Sequence, residues 1–353
     1  RQPGLVEALV KNAIGRDTYD PDLSRTLFQL MVPLDFKAAA RETEQMVLVV
    51  DGYTANLPWE MLQAEDLPMV LKTAVVRQFA STRYRKMPRT TTRRTACVIA
   101  NPDTTGYRSQ LLGVAEKDIG DPAKDRLPPL AGADAEGRAV RSLLEASHYD
   151  VTYSDDGAAL DVFARLFRQP YRVLVIAAHG VFELMAADGR ARTGVVLSDG
   201  MLLTAAEVSQ MEVVPELVFL NCCHLGEINS SLKDPNRLAY SLSRELIEMG
   251  VRCVVAAGWQ VNDDAATCFA ETFFGEFVSK NTSFGKAVHV ARKTTWERWP
   301  QCNTWGAYQA YGDPHYRLEP GSGSGGSGGS APVSPAELIA ELERMRIDVR
   351  NAD

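Results

Sequence analysis

Two apolar stretches near the middle of the chain each end abruptly in polar residues that can carry chemistry. Residues 217–223 read Leu-Val-Phe-Leu-Asn-Cys-Cys, and residues 173–180 read Val-Leu-Val-Ile-Ala-Ala-His-Gly. A short, unbroken apolar run is typical of a strand that is buried on both faces, as in a parallel sheet. The carboxyl ends of parallel strands lie at one edge, where open α/β sheets bind their ligands. We therefore expect a functional site where these two runs end.

Strands and helices alternate along the chain. The pattern of apolar positions predicts further strands at 46–50, 96–100, 150–153 and 251–257, and a hairpin over 194–203. Helical spacing predicts helices within 1–45 and over 130–147, 158–168, 236–249, 264–280 and 284–298. Thr204 and Glu207 are spaced as a capping box, and the polar residues 104–126 favour a long surface loop. This alternation is typical of an α/β fold with a mainly parallel sheet flanked by helices.

Composition narrows the class of protein. Of the 353 residues, 45% are hydrophobic and 24% are charged, as in ordinary globular proteins. The net charge of −7 argues against direct nucleic-acid binding, and no apolar run approaches the roughly 20 residues that span a bilayer. The six cysteines include no C-x-x-C pair, which favours a reducing cytoplasm and no zinc site. A phosphate-binding loop motif is absent as well, so we expect no cofactor.

The two ends of the chain suggest an altered context. The chain begins at Arg1, with neither Met nor an apolar leader, so we expect a fragment of a longer protein. Residues 321–330 contain only Gly and Ser and are interpreted as an engineered flexible linker. Residues 331–353 then form a grafted helix that begins with a capping box at 334–337. We interpret it as a tethered partner or substrate peptide; the alternative is a crystallisation aid.

Cysteine and histidine at the two strand ends suggest nucleophilic catalysis; the alternative is that they are merely strand-end residues. A thiol attacks a carbonyl carbon as the thiolate, and a nearby imidazole is the usual base. Side chains alternate along a strand, so one of Cys222 and Cys223 faces a cleft while the other packs. His224 is a rival base to His179, but adjacent residues seldom turn their side chains toward each other. The N–H groups of Gly180 and Cys223 are candidates for an oxyanion hole, and Gly180 would let a substrate approach closely.

Further motifs surround these strand ends in a fixed order. They lie at 49–62, 99–102, 130–136, 258–264 and 311–314. Together with 177–180 and 220–226, they resemble the CHAT domain, a group of caspase-like cysteine peptidases of clan CD with caspases, metacaspases and separases among its relatives. The resemblance covers roughly residues 45–316. It implies a caspase-like, mainly parallel sheet flanked by helices, with a degenerate, non-catalytic N-terminal half and a catalytic C-terminal half.

The resemblance also implies a function. It makes His179 the base and Cys223 the nucleophile of a cysteine endopeptidase that hydrolyses peptide bonds of a specific protein target. It divides the chain into residues 1–95, a helical segment with the start of the degenerate half, and 96–320, the catalytic region. Such domains are often attached to sensor or repeat modules and tied to bacterial defence, including antiviral defence, or to regulated cell death. The alternative is a catalytically silent scaffold that binds the helix 331–353.

Acidic residues near the strand ends bear on substrate specificity. In metacaspases an acidic residue commonly lies two positions before the nucleophile. Here that position is Asn221, which departs from the metacaspase pattern and is a candidate substrate-binding residue. Other acidic residues are candidates for a pocket that takes a basic P1 residue, each with the alternative of a solvated loop acid or a helix cap. They are Glu183, Asp199, Glu227, Asp263 and Asp264. Trp259 is predicted to wall the substrate groove, with core packing as the alternative. A basic P1 residue would suit the arginines of the tail, which are Arg344, Arg346 and Arg350.

Overall fold

An eight-stranded sheet with helices on both faces forms the centre of the molecule, and a separate three-stranded sheet follows one of its strands. The structure, a computed structural model, describes residues 3–37, 43–80, 84–85, 88–222, 236–319, 338–339 and 342. The strands are β1 (Gln45–Val50), β2 (Ala74–Phe79), β3 (Thr95–Ala100), β4 (Asp150–Asp155), β5 (Val173–Ala177), β6 (Gly180–Met185), β7 (Ala191–Val196), β8 (Leu202–Leu203), β9 (Leu217–Asn221), β10 (Cys253–Ala257) and β11 (Tyr308–Gly312). The α-helices are α1 (Pro3–Ile14), α2 (Pro21–Met31), α3 (Met69–Lys72), α4 (Glu116–Ile119), α5 (Ala131–Ala146), α6 (Ala159–Leu166), α7 (Ala205–Ser209), α8 (Asn236–Met249), α9 (Asp263–Phe274), α10 (Phe284–Arg298) and α11 (Thr304–Ala307).

The main sheet consists of two parallel blocks that run in opposite directions. Its strand order is β1-β2-β11-β10-β9-β5-β3-β4. The strands from β10 to β4 in this order are parallel to one another, and so are β1, β2 and β11. The blocks meet where β10 and β11 pair antiparallel. The predicted mainly parallel sheet is confirmed. The predicted segments 1–95 and 96–320 both contribute strands to it, and their division into a degenerate and a catalytic half stays a prediction.

Alternate residues of the central strands pack into two cores, one on each face of the sheet. Val175 and Phe219 belong to one core, together with residues of α2, α5, α9 and α10. Leu174 and Val218 belong to the other core, together with residues of α6, α7 and α8. Both faces of these strands are thus removed from water, which explains why they read as unbroken apolar runs. Full burial of one such side chain contributes about 1.5–3 kcal/mol relative to exposure.

The apolar pattern does not predict β2, because the charged residue Arg77 interrupts it; β6 and β11 are not predicted either. Arg77 is fully buried, and its Nε donates to Oε1 of Glu60 at 2.9 Å. Its guanidinium also donates to the carbonyl oxygens of Ala55 and Leu57 at 2.6 and 2.9 Å. Nη2 of Arg292 lies 3.6 Å from the same Glu60 oxygen. A charged group that is paired and hydrogen-bonded in this way can occupy the interior of a strand.

Residues 104–126 form an anchored and partly buried segment, whereas the sequence favours a surface loop. A π-helical turn spans Tyr107–Leu111, and α4 follows it. The Asp125 carboxylate accepts hydrogen bonds from the N–H groups of Arg108 and Ser109 at 3.0 and 2.7 Å. Its second oxygen accepts a hydrogen bond from Ser109 Oγ at 2.5 Å. Side-chain bonds to nearby backbone replace a regular ladder here, and periodicity does not reveal them.

Two predictions at the ends of the chain have different outcomes. Residues 1–45 contain the separate helices α1 and α2, as their helical spacing indicates. The linker 321–330 lies outside the described residues, as does most of 331–353, so the predictions about the tail stay untested. Within the described ranges, no helix combines the length and the apolar character needed to cross a bilayer.

Candidate active site

The ends of β5 and β9 lie side by side at one edge of the main sheet. Ala177, the last residue of β5, pairs with Asn221, the last residue of β9. The N–H of Ala178 donates to the carbonyl oxygen of Asn221 at 3.1 Å and extends this contact by one residue. The two apolar runs therefore meet as expected. Cys223, His224 and Glu227 lie outside the described residues, so their predicted roles stay predictions.

His179 follows β5 and directs one ring nitrogen at a backbone carbonyl. The residue is 8% exposed, and Nε2 lies 2.7 Å from the carbonyl oxygen of Pro128. A carbonyl oxygen can only accept a hydrogen bond, so we assign the proton to Nε2. The neutral ring then carries its lone pair on Nδ1, which is the nitrogen that can take a proton from a thiol.

The surroundings of His179 favour its neutral form. Burial lowers the pKa of His179 below its ordinary value of 6.5, and the hydrogen bond to the Pro128 carbonyl raises it by less. The imidazole is therefore neutral near pH 7, which is the form that a general base requires. When Nδ1 accepts a proton, the dipole of the Pro128 carbonyl faces the new positive charge and stabilises it.

A four-residue proline strap, from Leu127 to Leu130, holds the carbonyl of Pro128 in place. The N–H of Leu127 donates to Thr104 Oγ1 at 3.0 Å, and the N–H of Leu130 donates to Asn101 Oδ1 at 2.9 Å. Both middle residues are prolines, whose rings restrict the φ angle. The strap is thus fixed at both ends and stiff between them, so it sets the orientation of the His179 ring.

Cys222 packs into the core beneath the strand ends. It is 6% exposed and belongs to the same core as Ile176 and Leu220. Its Sγ lies 3.9 Å from the carbonyl oxygen of Ile176. The apolar core encloses this thiol, so it is not presented to a substrate. The expectation that one of the two adjacent cysteines packs is met by Cys222.

Gly180 is the first residue of β6, and the space beside it is already occupied. A Cβ atom on Gly180 would lie 2.4 Å from Cδ2 of Leu238 and 3.2 Å from Cβ of Cys222. The missing side chain therefore lets α8 approach the strand ends, which is a structural reason for glycine that the sequence did not suggest. The role of its N–H group in an oxyanion hole stays a prediction.

Asn221 turns its side chain toward a buried glutamic acid. It is 8% exposed, and its Nδ2 donates to Oε2 of Glu136, on α5, at 2.7 Å. Burial raises the pKa of Glu136 from 4.5 to about 8; hydrogen bonds with Asn221 and Tyr308 lower it, and the charge of Asp263 raises it. Glu136 is therefore largely protonated near pH 7. The scaffold engages the Asn221 side chain, which was predicted to contact substrate.

Asp263 and Asp264 form the exposed first turn of α9. The residue that caps this helix is Asn262, whose Oδ1 accepts a hydrogen bond from the N–H of Ala265 at 3.1 Å. Asp263 lies against Gly132 at the start of α5, where a Cβ atom would be 2.2 Å from Cγ of Asp263. Strand β10 runs parallel to β9 and ends at the same sheet edge, and Asp263 follows β10 at the start of α9, so Asp263 lies on the side of the sheet where β9 ends at Asn221.

The remaining predicted specificity residues occupy a bulge, a turn and the core. Glu183 is exposed and lies at the irregularity of β6, with a φ of 48°. Asp199 lies in the turn between β7 and β8 with a φ of 57°, and its Oδ2 accepts a hydrogen bond from Ser198 Oγ at 2.8 Å. Trp259 is 1% exposed and packs in the core. Core packing was the alternative to its predicted role as a wall of the substrate groove.

Pro128 and Glu136 belong to this site, although neither was among the predicted site residues. The sequence signals were a double proline at 128–129 and a glutamate on the buried face of α5, at helical spacing from Ala133 and Val140. Neither signal identifies a partner, because each contact joins residues far apart in sequence. Over the described part of the chain, no group of three or more His, Cys, Asp or Glu residues is placed to hold a metal ion.

Comparison with solved structures finds several similar chains. The Arg-specific cysteine proteinase gingipain R matches with a TM-score of 0.47 and 12% identity, over 89% of this chain and 75% of that chain. The Saccharomyces cerevisiae separase–securin complex matches with a TM-score of 0.42 and 14% identity, over 76% of this chain and 15% of that chain. The chain therefore spans only a small part of that structure. No curated protein sequence matches the chain.

A family model agrees with the resemblance seen in the motifs. The model of the CHAT domain matches residues 21–313 of the 353-residue chain. This range contains both blocks of the main sheet and both strand ends of the candidate site. The chain therefore belongs to the CHAT domain family and has its caspase-like, clan CD fold.

Proposed function

We propose that this protein is a cysteine endopeptidase in which His179 is the general base and Cys223 is the nucleophile. The observation that carries the proposal is the buried His179 ring beside the end of β9, with Nε2 bonded to the Pro128 carbonyl. This arrangement leaves the lone pair on Nδ1. Membership of the CHAT family supports the same activity. In sequence, Cys223 is two residues past the end of β9.

In the proposed reaction, Nδ1 of His179 takes the proton of the Cys223 thiol, and the sulfur forms a bond to the carbonyl carbon of the scissile peptide. The carbonyl oxygen becomes an oxyanion, for which the N–H groups of Gly180 and Cys223 are the proposed donors. The imidazolium gives its proton to the leaving amine as the C–N bond breaks, and a thioester remains. Water, deprotonated by His179, then hydrolyses the thioester and restores the thiol.

The proposed substrate is a protein or peptide with a basic P1 residue, and Asp263 is the proposed acceptor. Asn221 is engaged by Glu136, whereas the Asp263 side chain is exposed at the same sheet edge. We expect Asp263→Asn to lower kcat/KM for Arg or Lys substrates by about tenfold or more, because a charge-assisted bond is lost. Asp264→Asn, in the same helical turn, is the matched control. Equal losses in both variants would contradict the assignment to Asp263.

The wider setting follows from the family resemblance and the tail. We propose a cytoplasmic protease that acts in bacterial defence or regulated cell death and is activated by a partner or by an upstream sensor or repeat module. The segment 331–353 would then be a partner or substrate segment. Cleavage-site mapping on candidate partner proteins, with and without this segment, tests that assignment directly.

The decisive experiment compares three single variants in a cleavage assay on proteome-derived peptides, read by mass spectrometry. Cys223→Ala and His179→Ala should each lower the rate at least about a thousandfold, because they remove the nucleophile or its base. Cys222→Ala, the neighbouring thiol, should retain most of the activity. Cleavage by Cys223→Ala at the wild-type rate would disprove the assignment. A wild-type chain that cleaves nothing, even with a partner added, would favour the scaffold alternative.

A further inference from the structure

A pocket with a volume of about 580 Å³ adjoins the proline strap. Its apolar lining includes Tyr107 and Leu127, which are 2% and 3% exposed, and it extends to Pro128 itself. Pro128 is the residue whose carbonyl oxygen binds His179. One wall of the pocket is therefore in direct contact with the proposed catalytic base.

Three cationic side chains line this pocket, and no acidic residue among the described parts of the chain does. They belong to Arg108, Lys124 and Arg126. In the described part of the chain, Arg108 and Lys124 have no ion-pair partner, and Arg126 has only a long contact of 3.8 Å to Asp103. This local excess of positive charge contrasts with the net charge of −7 of the whole chain. An apolar floor with a cationic rim is complementary to an acidic peptide that also carries apolar side chains.

Two nearby carboxylates, Asp125 and Asp103, do not line the pocket, and both hold the segment together. Asp125 accepts hydrogen bonds from the N–H groups of Arg108 and Ser109. Asp103 accepts from the N–H and the hydroxyl of Thr105 at 3.0 and 2.8 Å. The N–H of Ala187 donates to the carbonyl oxygen of Leu111 at 2.8 Å, which ties the segment to the small sheet. The pocket is thus formed before any ligand arrives, which lowers the entropic cost of binding.

We propose that the pocket lined by Arg108, Lys124 and Arg126 is an exosite that binds an acidic segment of the protein substrate and places the scissile bond beside His179. This inference rests on the proposed proteolytic function and adds a second specificity determinant to it. The cationic exosite would bind acidic residues, and the proposed P1 acceptor Asp263 would bind a basic residue. Substrates would therefore carry acidic residues at a set distance from a basic P1 residue.

Charge reversal of two exposed cations tests the exosite. Lys124→Glu/Arg126→Glu is compared with Lys286→Glu/Lys293→Glu, a control pair on α10 that is also exposed and changes the net charge equally. In the mass-spectrometric cleavage assay, the wild type and the control should enrich Asp or Glu at one set distance from the cleaved bond. The exosite variant should lose this enrichment and keep the same P1 preference. No acidic enrichment in the wild type, or the same enrichment in the exosite variant, would overturn the proposal.

A binding arm separates the exosite from catalysis. The probes are a fluorescein-labelled peptide containing four glutamates and its glutamine counterpart, measured by fluorescence polarisation in the Cys223→Ala background. We expect the glutamate peptide to bind about tenfold more weakly to the exosite variant than to the control, and the difference to shrink at high salt.

Equal affinities for both peptides would overturn the exosite even if cleavage depends on Cys223. Displacement by pyrophosphate, without acidic enrichment in cleaved peptides, would show a free-anion site and also overturn it. If the wild type cleaves nothing, the proposed function fails while the binding arm still decides the pocket.

Discussion

Glu60 and Glu136 are the two most deeply buried glutamates among the described residues, and their surroundings differ in charge. Glu60 is 0% exposed and lies against the guanidinium groups of Arg77 and Arg292. Glu136 is 1% exposed and is hydrogen-bonded to the neutral amide of Asn221. Among the described residues Glu136 has no cationic partner. One buried carboxyl group is thus balanced by charge, and the other is balanced by taking up a proton.

The two glutamates therefore have different roles: Glu60 holds strands of the main sheet together, whereas Glu136 contacts the candidate site. Arg292 donates to the carbonyl oxygens of Val75 and Tyr308 at 2.7 and 2.8 Å, so the charged cluster ties β2 and β11 together. Glu136 instead contacts the last residue of β9, just before the proposed nucleophile. The charged cluster around the Glu60 carboxylate ties two strands of the sheet together, whereas the Glu136 carboxyl group, whose pKa burial raises to about 8, can change its protonation state beside the end of β9.

The largest expected effect is the removal of a pH dependence of stability by Glu136→Gln. In the folded protein Glu136 keeps its proton up to about pH 8, whereas the unfolded chain releases it near its ordinary pKa of 4.5. Its stabilising contribution is therefore complete below that ordinary pKa and is lost as the pH rises toward 8. We expect this group to lower the free energy of unfolding by about 4 kcal/mol between roughly pH 5 and 8, as measured by urea unfolding.

Glutamine resembles the protonated acid and can still accept the hydrogen bond from Asn221. The free energy of unfolding of the variant should therefore lack the fall that Glu136 causes between roughly pH 5 and 8. Glu145→Gln, at an exposed position of the same helix, is the control and should keep it. Parallel pH profiles for wild type and Glu136→Gln would show that Glu136 is not protonated in the folded state.

Arg77→Met should have the next largest effect. It removes one cation and leaves Glu60 buried with the weaker contact to Arg292, so we expect a loss of about 3 kcal/mol in the free energy of unfolding near pH 7. Adding Glu60→Gln to this variant should recover part of the loss, because the uncompensated charge is removed. A double variant as unstable as the sum of its single variants would indicate that packing, rather than charge, dominates this cluster.

Asn221→Ala tests the neutral partner of Glu136. The substitution leaves a buried acceptor without its donor, so we expect a loss of about 1–3 kcal/mol in chemical denaturation. The proposed peptidase activity should fall as well, because the end of β9 loses its anchor to α5. Full activity together with full stability would mean that this hydrogen bond has no positioning role.

The smallest expected effect is a shift in the acid limb of activity. Burial lowers the pKa of His179 below 6.5, so kcat/KM should stay level through that pH and fall only at lower pH, as the ring becomes protonated. A pH profile with a limb at or above 6.5 would contradict a buried, neutral base. Glu136→Gln should leave this limb in place, which separates the two titrations.

Several elements and one site residue could be predicted from the sequence. Strands β3, β5, β9 and β10 were visible as apolar runs, and the capping box at Thr204 and Glu207 is present as the spacing indicates. The adjacency of the two strand ends, including His179, followed from the geometry of parallel sheets. These features depend on residues that are close in sequence or on a rule that holds for every parallel sheet.

Other features were decided only by the tertiary structure. Strand β2 can hold Arg77 because Glu60 pairs with its charge and backbone carbonyl oxygens accept its other hydrogens. Arg292, which also contacts Glu60, lies more than two hundred residues away in sequence. The partner of His179 is the backbone carbonyl of a residue that precedes it by 51 positions. Every residue carries such a carbonyl, so the sequence does not identify which one binds the ring.

By itself, then, the sequence determined the α/β class, the apolar strands β3, β5, β9 and β10 and the histidine that follows β5, because burial on a strand or helix leaves a local periodicity. The tertiary structure decided the antiparallel junction of the sheet, the engagement of Asn221 by Glu136 and the cationic pocket beside Pro128. Each of these depends on which distant groups neutralise or hydrogen-bond a polar group once it is buried. The spacing of apolar residues along the chain does not predict those partners.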